Sequence, residues 1–299
     1  MLEWVVQETG AGVSCGSRQV RFLTFQRERN NMNPDISSFV VEKLRVKVYP
    51  NRRAMGKAAG EAVAAKMKEM LLTRKELFMV FASAPSQEEF LEELGRRQGI
   101  AWNRVTAFHL DEYIGLPEDA PQNFGHFLKG RLFEKVRPGK IYYIDGMARD
   151  PEAECTRYGS LLESHPLDIA CVGIGENGHL AFNDPPVADF NDPLPVKVVE
   201  LDPVSRKQQV HDKTFEDLER VPKKAVTLTI PTVFSAKFIY CMVPGPTKAE
   251  AVKKTLEGPI SPACPATILR RHGDATLFLD HDSARWVLSS QKLPSRKQR

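Results

Sequence analysis

The sequence predicts a three-layer α/β/α sandwich around a mostly parallel, Rossmann-like sheet, and three observations carry that expectation. Runs such as Leu77-Phe78-Met79-Val80-Phe81-Ala82 and Phe238-Ile239-Tyr240-Cys241-Met242-Val243 are apolar almost throughout, as strands are when helices cover both faces of a parallel sheet. These runs alternate with amphipathic stretches of helical period, the pattern of repeated strand–helix units. Gly- and Pro-rich loops follow several of the runs, and in such sheets ligands bind beyond the carboxyl ends of strands.

Taken in order, residues 1–33 are irregular, with Gly10, Gly12, Cys15 and a polar run at 27–33. They read as an extension outside a single α/β domain spanning 34–299. Leu44-Arg45-Val46-Lys47-Val48-Tyr49 alternates apolar and polar residues, which predicts an edge-type strand. Asn51 is placed to cap an Ala-rich helix reaching about residue 72, with Met55, Ala59, Val63 and Met67 on one stripe. A buried strand at 77–82 leads into a helix beginning near Ser83, and a further strand at 105–108 leads into an acidic loop. An amphipathic helix is expected at 123–136, a strand at 141–145 and a helix at 151–164 with its proline near the first turn. After the central strand at 169–174, extended segments follow at 196–199, 225–231, 238–243 and 275–279. Helices are expected at 249–257 and 283–293.

Composition excludes several classes of function. The chain has 299 residues, 42% hydrophobic and 27% charged, enough for a full core in one large or two small domains. Net charge is only +4, partly from Lys292, Arg296, Lys297 and Arg299. No aromatic residues interleave that basic tail, which argues against a nucleic-acid partner. No apolar run approaches the ~20 residues of a membrane span, and no signal-peptide core is present at the start. The five cysteines are widely spaced and odd in number, with Cys171 and Cys241 inside apolar runs. Reduced core thiols in a cytoplasmic protein are expected, rather than a disulfide framework or a zinc site.

The stretch at 168–186 concentrates the chemistry. A buried strand breaks into Gly175-Glu176-Asn177-Gly178, places His179, and closes on Asn183-Asp184-Pro185-Pro186. Gly173-x-Gly175-x-x-Gly178 matches a dinucleotide fingerprint, but that fingerprint needs a helix next, and the short polar segment that follows reads as a loop. A second focus is His109-Leu110-Asp111-Glu112 at the end of a strand. Adjacent carboxylates raise one another's pKa and can make a general base, whereas an isolated acidic loop residue is more often solvated or capping. His109 and Asp111 lack further ligands at metal-binding spacing. Ser83, Ala84 and Ser86 stand at a strand-to-helix turn suited to an anion, although either serine could simply cap the helix. Lys248, in the first turn of the 249–257 helix, opposes the helix dipole, and a bound anion accounts for it better than plain solvation.

In sequence order these motifs resemble glucosamine-6-phosphate deaminase/isomerase. Asp111-Glu112-Tyr113-Ile114-Gly115-Leu116-Pro117 is similar to that family's Asp-Glu-Tyr-x-Gly-Leu-Pro. The segment from Gly173 through His179 to Pro185 resembles its Gly-x-Gly-x-[Asp/Asn]-Gly-His-x-x-Phe-Asn-Glu-Pro. Gly245-Pro246-Thr247-Lys248 resembles its Gly-x-x-Lys, and Glu257-Gly258-Pro259 with Pro265-Ala266-Thr267-Ile268-Leu269 its C-terminal motif. The resemblance covers about residues 44–285. The sister 6-phosphogluconolactonases resemble the chain less. The resemblance implies Asp111 as the base at the sugar's second carbon, His179 as the ring-opening group, and Asn177 and Asp184 as its orienting partners. It also implies a site completed by Glu112 and, for the sugar and phosphate, by Ser83, Ala84, Ser86, Gly175, Gly178 and Lys248. A small-molecule sugar phosphate is the implied partner, without metal or organic cofactor; a homo-oligomer is compatible with it. The chain departs from the family at its phosphate loop, which loses two glycines and gains Pro85. Asp184 stands where glutamate is usual, and the phosphate-clamping arginine is replaced near Pro195. A lactone hydrolase or a non-catalytic sensor therefore stays open as an alternative.

Overall fold

The computed structural model describes residues 37–290. The expected extension at 1–33, Cys15 and the basic tail from Lys292 lie outside the described residues. In chain order the elements are β1 (Ser37–Val41), β2 (Leu44–Tyr49), α1 (Arg52–Leu71), β3 (Leu77–Phe81) and α2 (Glu88–Arg96). There follow β4 (Val105–His109), β5 (Asp111–Tyr113), α3 (Phe124–Leu128), α4 (Glu134–Val136), β6 (Lys140–Ile141), α5 (Pro151–Ser164) and β7 (Ile169–Val172). The remainder are β8 (Val196–Glu200), α6 (Pro203–His211), β9 (Lys224–Leu228), α7 (Ile230–Phe234), β10 (Phe238–Val243), α8 (Ala249–Glu257), β11 (Ala275–Asp280) and α9 (His281–Ser290).

An eight-stranded sheet has the order β1-β2-β11-β10-β7-β3-β4-β6 and is parallel except for the β1–β2 hairpin. Alternate strand residues enter two opposite cores. Met79, Phe81, Ile169, Cys171 and Met242 meet α1 and α2 on one face, while Val80, Ala170, Val172, Cys241 and Val243 face α5, α8 and α9 on the other. The α/β/α expectation therefore holds, and the near-continuous apolar runs are explained by two-sided burial. The four described cysteines are free and buried. No helix among the described residues is long and apolar enough to cross a membrane.

Several local expectations need correction. The strand Leu44–Tyr49 is not at the edge, because Ser37–Val41 pairs outside it through a tight turn in which Glu42 has φ 55°. The strand expected at 141–145 ends at Ile141. Beyond it the Ile144 N–H is taken by His109 Nε2 at 2.8 Å instead of by a strand. The segment at 225–231 forms β9 only to Leu228, then turns into α7 at Ile230. Neither Ser83 nor Ser86 caps a helix: a short 3₁₀ turn, Pro85–Gln87, precedes α2, and no side chain caps either. The cap read at Asn51 does form, its side chain accepting from Ala54 N–H, and Asn123, not read as a cap, accepts from His126 N–H in the same way.

The chain runs outward from β3 through β4 to β6, then returns with β7 on the opposite flank of β3 and continues to β10 and β11. This reversal is a topological switch point, which opens a crevice beyond the carboxyl ends of β3 and β7. A three-stranded antiparallel sheet, β5-β9-β8, roofs that end. Leu110 joins the two sheets: its N–H donates to Phe81 O at 3.2 Å and its carbonyl accepts from Leu228 N–H at 2.9 Å. At the opposite end of β7 the fully buried Asp168 is paired with Arg74 and Lys237 and accepts from Phe78 N–H. It pins the strand's start and lies away from the crevice.

Helices α1 and α2 approach closely at Gly56 and Gly60, where an added Cβ would press on Glu89 and come within 2.8 Å of Glu93 Cγ. Gly56→Ala should force the helices apart and lower stability by about 1–3 kcal/mol. Urea unfolding followed by circular dichroism measures this; an unchanged midpoint would show that the contact yields freely.

Candidate active site

The crevice is a cavity of about 70 Å³ whose lining includes Ser83, Ala84, Ser86, Gln87, Asp111, Gly175, His179, Gln208, Gln209 and Lys248. Segments from residue 82 to residue 248 thus meet at one point, most of them following the carboxyl ends of β3, β4, β7 and β10. A larger cavity of about 590 Å³ lies near Asn123, Tyr143 and Asp145. It gathers neither Asp111 nor His179, so the smaller one is where the chemistry converges.

Asp111 opens β5 and is 8% exposed. Burial, then the charges of Glu112 and Asp184, push its carboxyl well above the usual range. Glu112 does not join it. Successive strand residues point to opposite faces, and the Glu112 carboxylate instead accepts the N–H groups of Tyr113, Phe124 and Gly125 at 3.0–3.1 Å. Burial raises Glu112 to about 7 despite these three donors. It anchors the start of α3 and is not a wall of the crevice. His109 likewise turns into the core, fully buried and lowered to about 4 by desolvation. Among the described residues no group of three or more histidine, cysteine or acidic side chains is placed to hold a metal.

His179 is held from its Nδ1 side. Asn177 Oδ1, Asp184 Oδ1 and Ser205 Oγ each lie 2.9 Å from Nδ1. Asn177 Oδ1 also accepts the His179 backbone N–H, while its amide donates to Asp184 Oδ1 at 2.8 Å. Two of the three neighbours are acceptors, so the network places the proton on Nδ1 and leaves Nε2 as the nitrogen available to the crevice. Burial alone would raise the Asp184 carboxyl. The hydrogen bond and charge of His179, with hydrogen bonds from Ser205 and Asn177, outweigh this and hold it below the usual range. Gly175 lies directly under the ring, where a Cβ would overlap the imidazole atoms.

Gly178, expected to touch substrate, does not line the crevice. It has φ +88°, a backbone state that favours glycine. Its carbonyl accepts from Ala266 N–H at 2.8 Å, and a Cβ there would meet Cys264 Sγ. It shapes the turn that delivers His179. Ala181, in the lining, adopts φ 50° without being glycine, a strained conformation of the kind found near functional sites.

The distal end of the crevice holds Lys248, 5% exposed. Its ammonium makes no ion pair among the described residues. Burial lowers its pKa, with Asp212 and Glu176 opposing the shift. Ser83 Oγ nearby is buried and lacks a partner. An unpaired buried cation beside an unused hydroxyl is a ready anion site. The missing arginine is not accounted for near Pro195, which packs on Gly159 and accepts from Thr229 and Thr232. Instead α6 covers the crevice and presents Gln208 and Gln209, while Arg206 turns away to Leu218 O and Val221 O. The sequence reading missed α6 altogether, together with Ser205, Gln208 and Gln209. Its one signal was Asp202-Pro203, a cap followed by proline in the first turn.

A buried carboxyl, an oriented imidazole and a buried cation thus meet around the switch-point crevice of an α/β fold, the setting of an enzyme site. The chain belongs to the family described as glucosamine-6-phosphate isomerases/6-phosphogluconolactonase, whose sequence profile matches residues 50–278. Glucosamine-6-phosphate deaminases of Bacillus thuringiensis and Bacillus cereus are 37% identical over 217 residues, 73% of this chain and 80% of theirs. Among solved structures, a monomeric glucosamine-6-phosphate deaminase superposes with a TM-score of 0.74 at 32% identity, covering 80% of this chain and 98% of that one. A 6-phosphogluconolactonase from Thermotoga maritima shares the fold, with a TM-score of 0.66 at 21% identity over 80% of this chain and all of that one.

Proposed function

We propose that the protein converts glucosamine 6-phosphate to fructose 6-phosphate and ammonia. The observation that carries this reading is that Asp111, His179 and Lys248 open on one crevice, and the deaminases among its relatives support it. His179, neutral at Nε2, exchanges a proton with the ring oxygen as the pyranose opens. Asp111, once ionised, takes the proton from the second carbon; that electron pair forms a double bond to the first carbon, whose carbonyl π pair moves to its oxygen and takes up a proton to give the enol-amine. Protonation at the first carbon leaves an imine at the second, and water displaces its nitrogen as ammonia. Asn177 and Asp184 hold the imidazole in register. Lys248 and the Ser83 hydroxyl meet the phosphate.

Purified protein given glucosamine 6-phosphate should release ammonia and fructose 6-phosphate in equal amounts. Lys248→Gln should raise KM about 10- to 100-fold, the loss expected for a hydrogen bond to a charged group, with a smaller change in kcat. Hydrolysis of 6-phosphogluconolactone without ammonia release, or binding of the amino sugar without turnover, overturns the reading.

A further inference from the structure

Ser205 stands at the third position of α6, after the cap Asp202. A serine in a first helical turn ordinarily returns its hydroxyl to its own backbone or to water. Here the side chain is 1% exposed and ignores its helix. It donates to Asp184 Oδ1 at 2.6 Å and lies 2.9 Å from His179 Nδ1, reaching residues 21 and 26 positions earlier. The same carboxylate oxygen accepts from the Asn177 amide and His179 Nδ1, and its second oxygen receives the Asp202 N–H at 3.4 Å. Asp184, the short carboxylate of this pair, is therefore fixed from the α6 side as well as from its own loop.

We infer that Ser205 is a positioning residue for His179, holding Asp184 ionised and aligned so that the imidazole keeps its proton on Nδ1 and offers Nε2 to the substrate. The inference rests on the ring-opening role given to His179 above. It also gives α6 a double contact, because Gln208 and Gln209 one turn further on wall the distal end of the crevice. The helix that meets the far end of the substrate is the helix that steadies the imidazole.

The test pairs kinetics with a spectroscopic readout independent of turnover. In the full-length protein with ¹⁵N-labelled histidine, the wild-type His179 ring should show the pattern of an Nδ1–H tautomer. Ser205→Ala should give a mixture of tautomers, and kcat on glucosamine 6-phosphate should fall about tenfold with KM within about twofold. Ser205→Thr, which keeps the hydroxyl, should restore both. If Ser205→Ala folds poorly, Ser205→Cys, close in volume and a weak donor, is read in the same way. A folded variant with wild-type tautomer and kcat overturns the inference. A tautomer shift in a protein that never deaminates the sugar upholds the positioning role and removes the proposed reaction instead.

Discussion

Asp111→Asn is expected to cut kcat by about 10²–10⁴, the usual contribution of a general base, and to leave the protein at least as stable as the parent. The two halves of this result share one cause. Burial with the nearby charges of Glu112 and Asp184 raises the Asp111 pKa, so the folded state resists the ionised form. A group with a raised pKa contributes its stability below its unfolded value and loses it as pH rises through the folded value. The asparagine variant carries no such titration, so its advantage in thermal midpoint should be absent at low pH and grow towards alkaline pH. Activity in the parent runs the other way. The base must be ionised, so the acid limb of kcat/KM should lie above the ordinary carboxylate range. Lys248, lowered by burial, should lose its proton at a lower pH than a surface lysine and weaken phosphate binding there. The resulting bell is narrowed from both sides. An acid limb at the value of a solvated aspartate, or an asparagine variant with substantial activity, would remove Asp111 from the base's role.

Gly175→Ala is expected to lower kcat by about 10²-fold, the order of loss that follows from an ångström of misplacement. The added methyl occupies the volume of the His179 ring. The ring must leave its bonds to Asn177 and Asp184, because the backbone beneath is fixed by Gly175 N–H donating to His179 O at 3.0 Å. Steady-state kinetics and a urea transition on the same variant separate the effects: the kinetic loss should far exceed any loss of folding. A variant with parental kcat would mean that the imidazole is free to move without consequence.

Much of the fold could be read from residues because two-sided burial leaves a plain mark. β3, β7, β10 and β11 are buried at nearly every position, and no surface constraint interrupts their apolar runs. The cap at Asn51 was legible for the same local reason, a polar side chain serving its own helix start. What escaped was non-local. Nothing in Ser37–Val41 itself announces that it borders β2, and β9 looks like any apolar strand until its antiparallel partners assign it to the second sheet. Helix α6 is short and polar, stabilised by groups elsewhere, so neither period nor composition marked it. Glu112 could have been read correctly: neighbours along a strand face opposite ways, and only one of Asp111 and Glu112 could enter a common crevice. Asn177 and Asp184 were named as partners of His179 through the family resemblance, whose motif lies within one loop. Ser205 was not, since its contacts lie more than twenty residues away.

The backbone of Leu110 is shared by both sheets, its N–H bonded to β3 and its carbonyl to the end of β9. The residue after it is the acid itself. A thermal fluctuation that parts the roof from the main scaffold at this point breaks those two backbone bonds, and the Asp111 carboxylate travels with it. Among the backbone amides near the crevice, those of Leu110 and Leu228 should therefore surrender their protons to deuterium together, as Asp111 leaves its place.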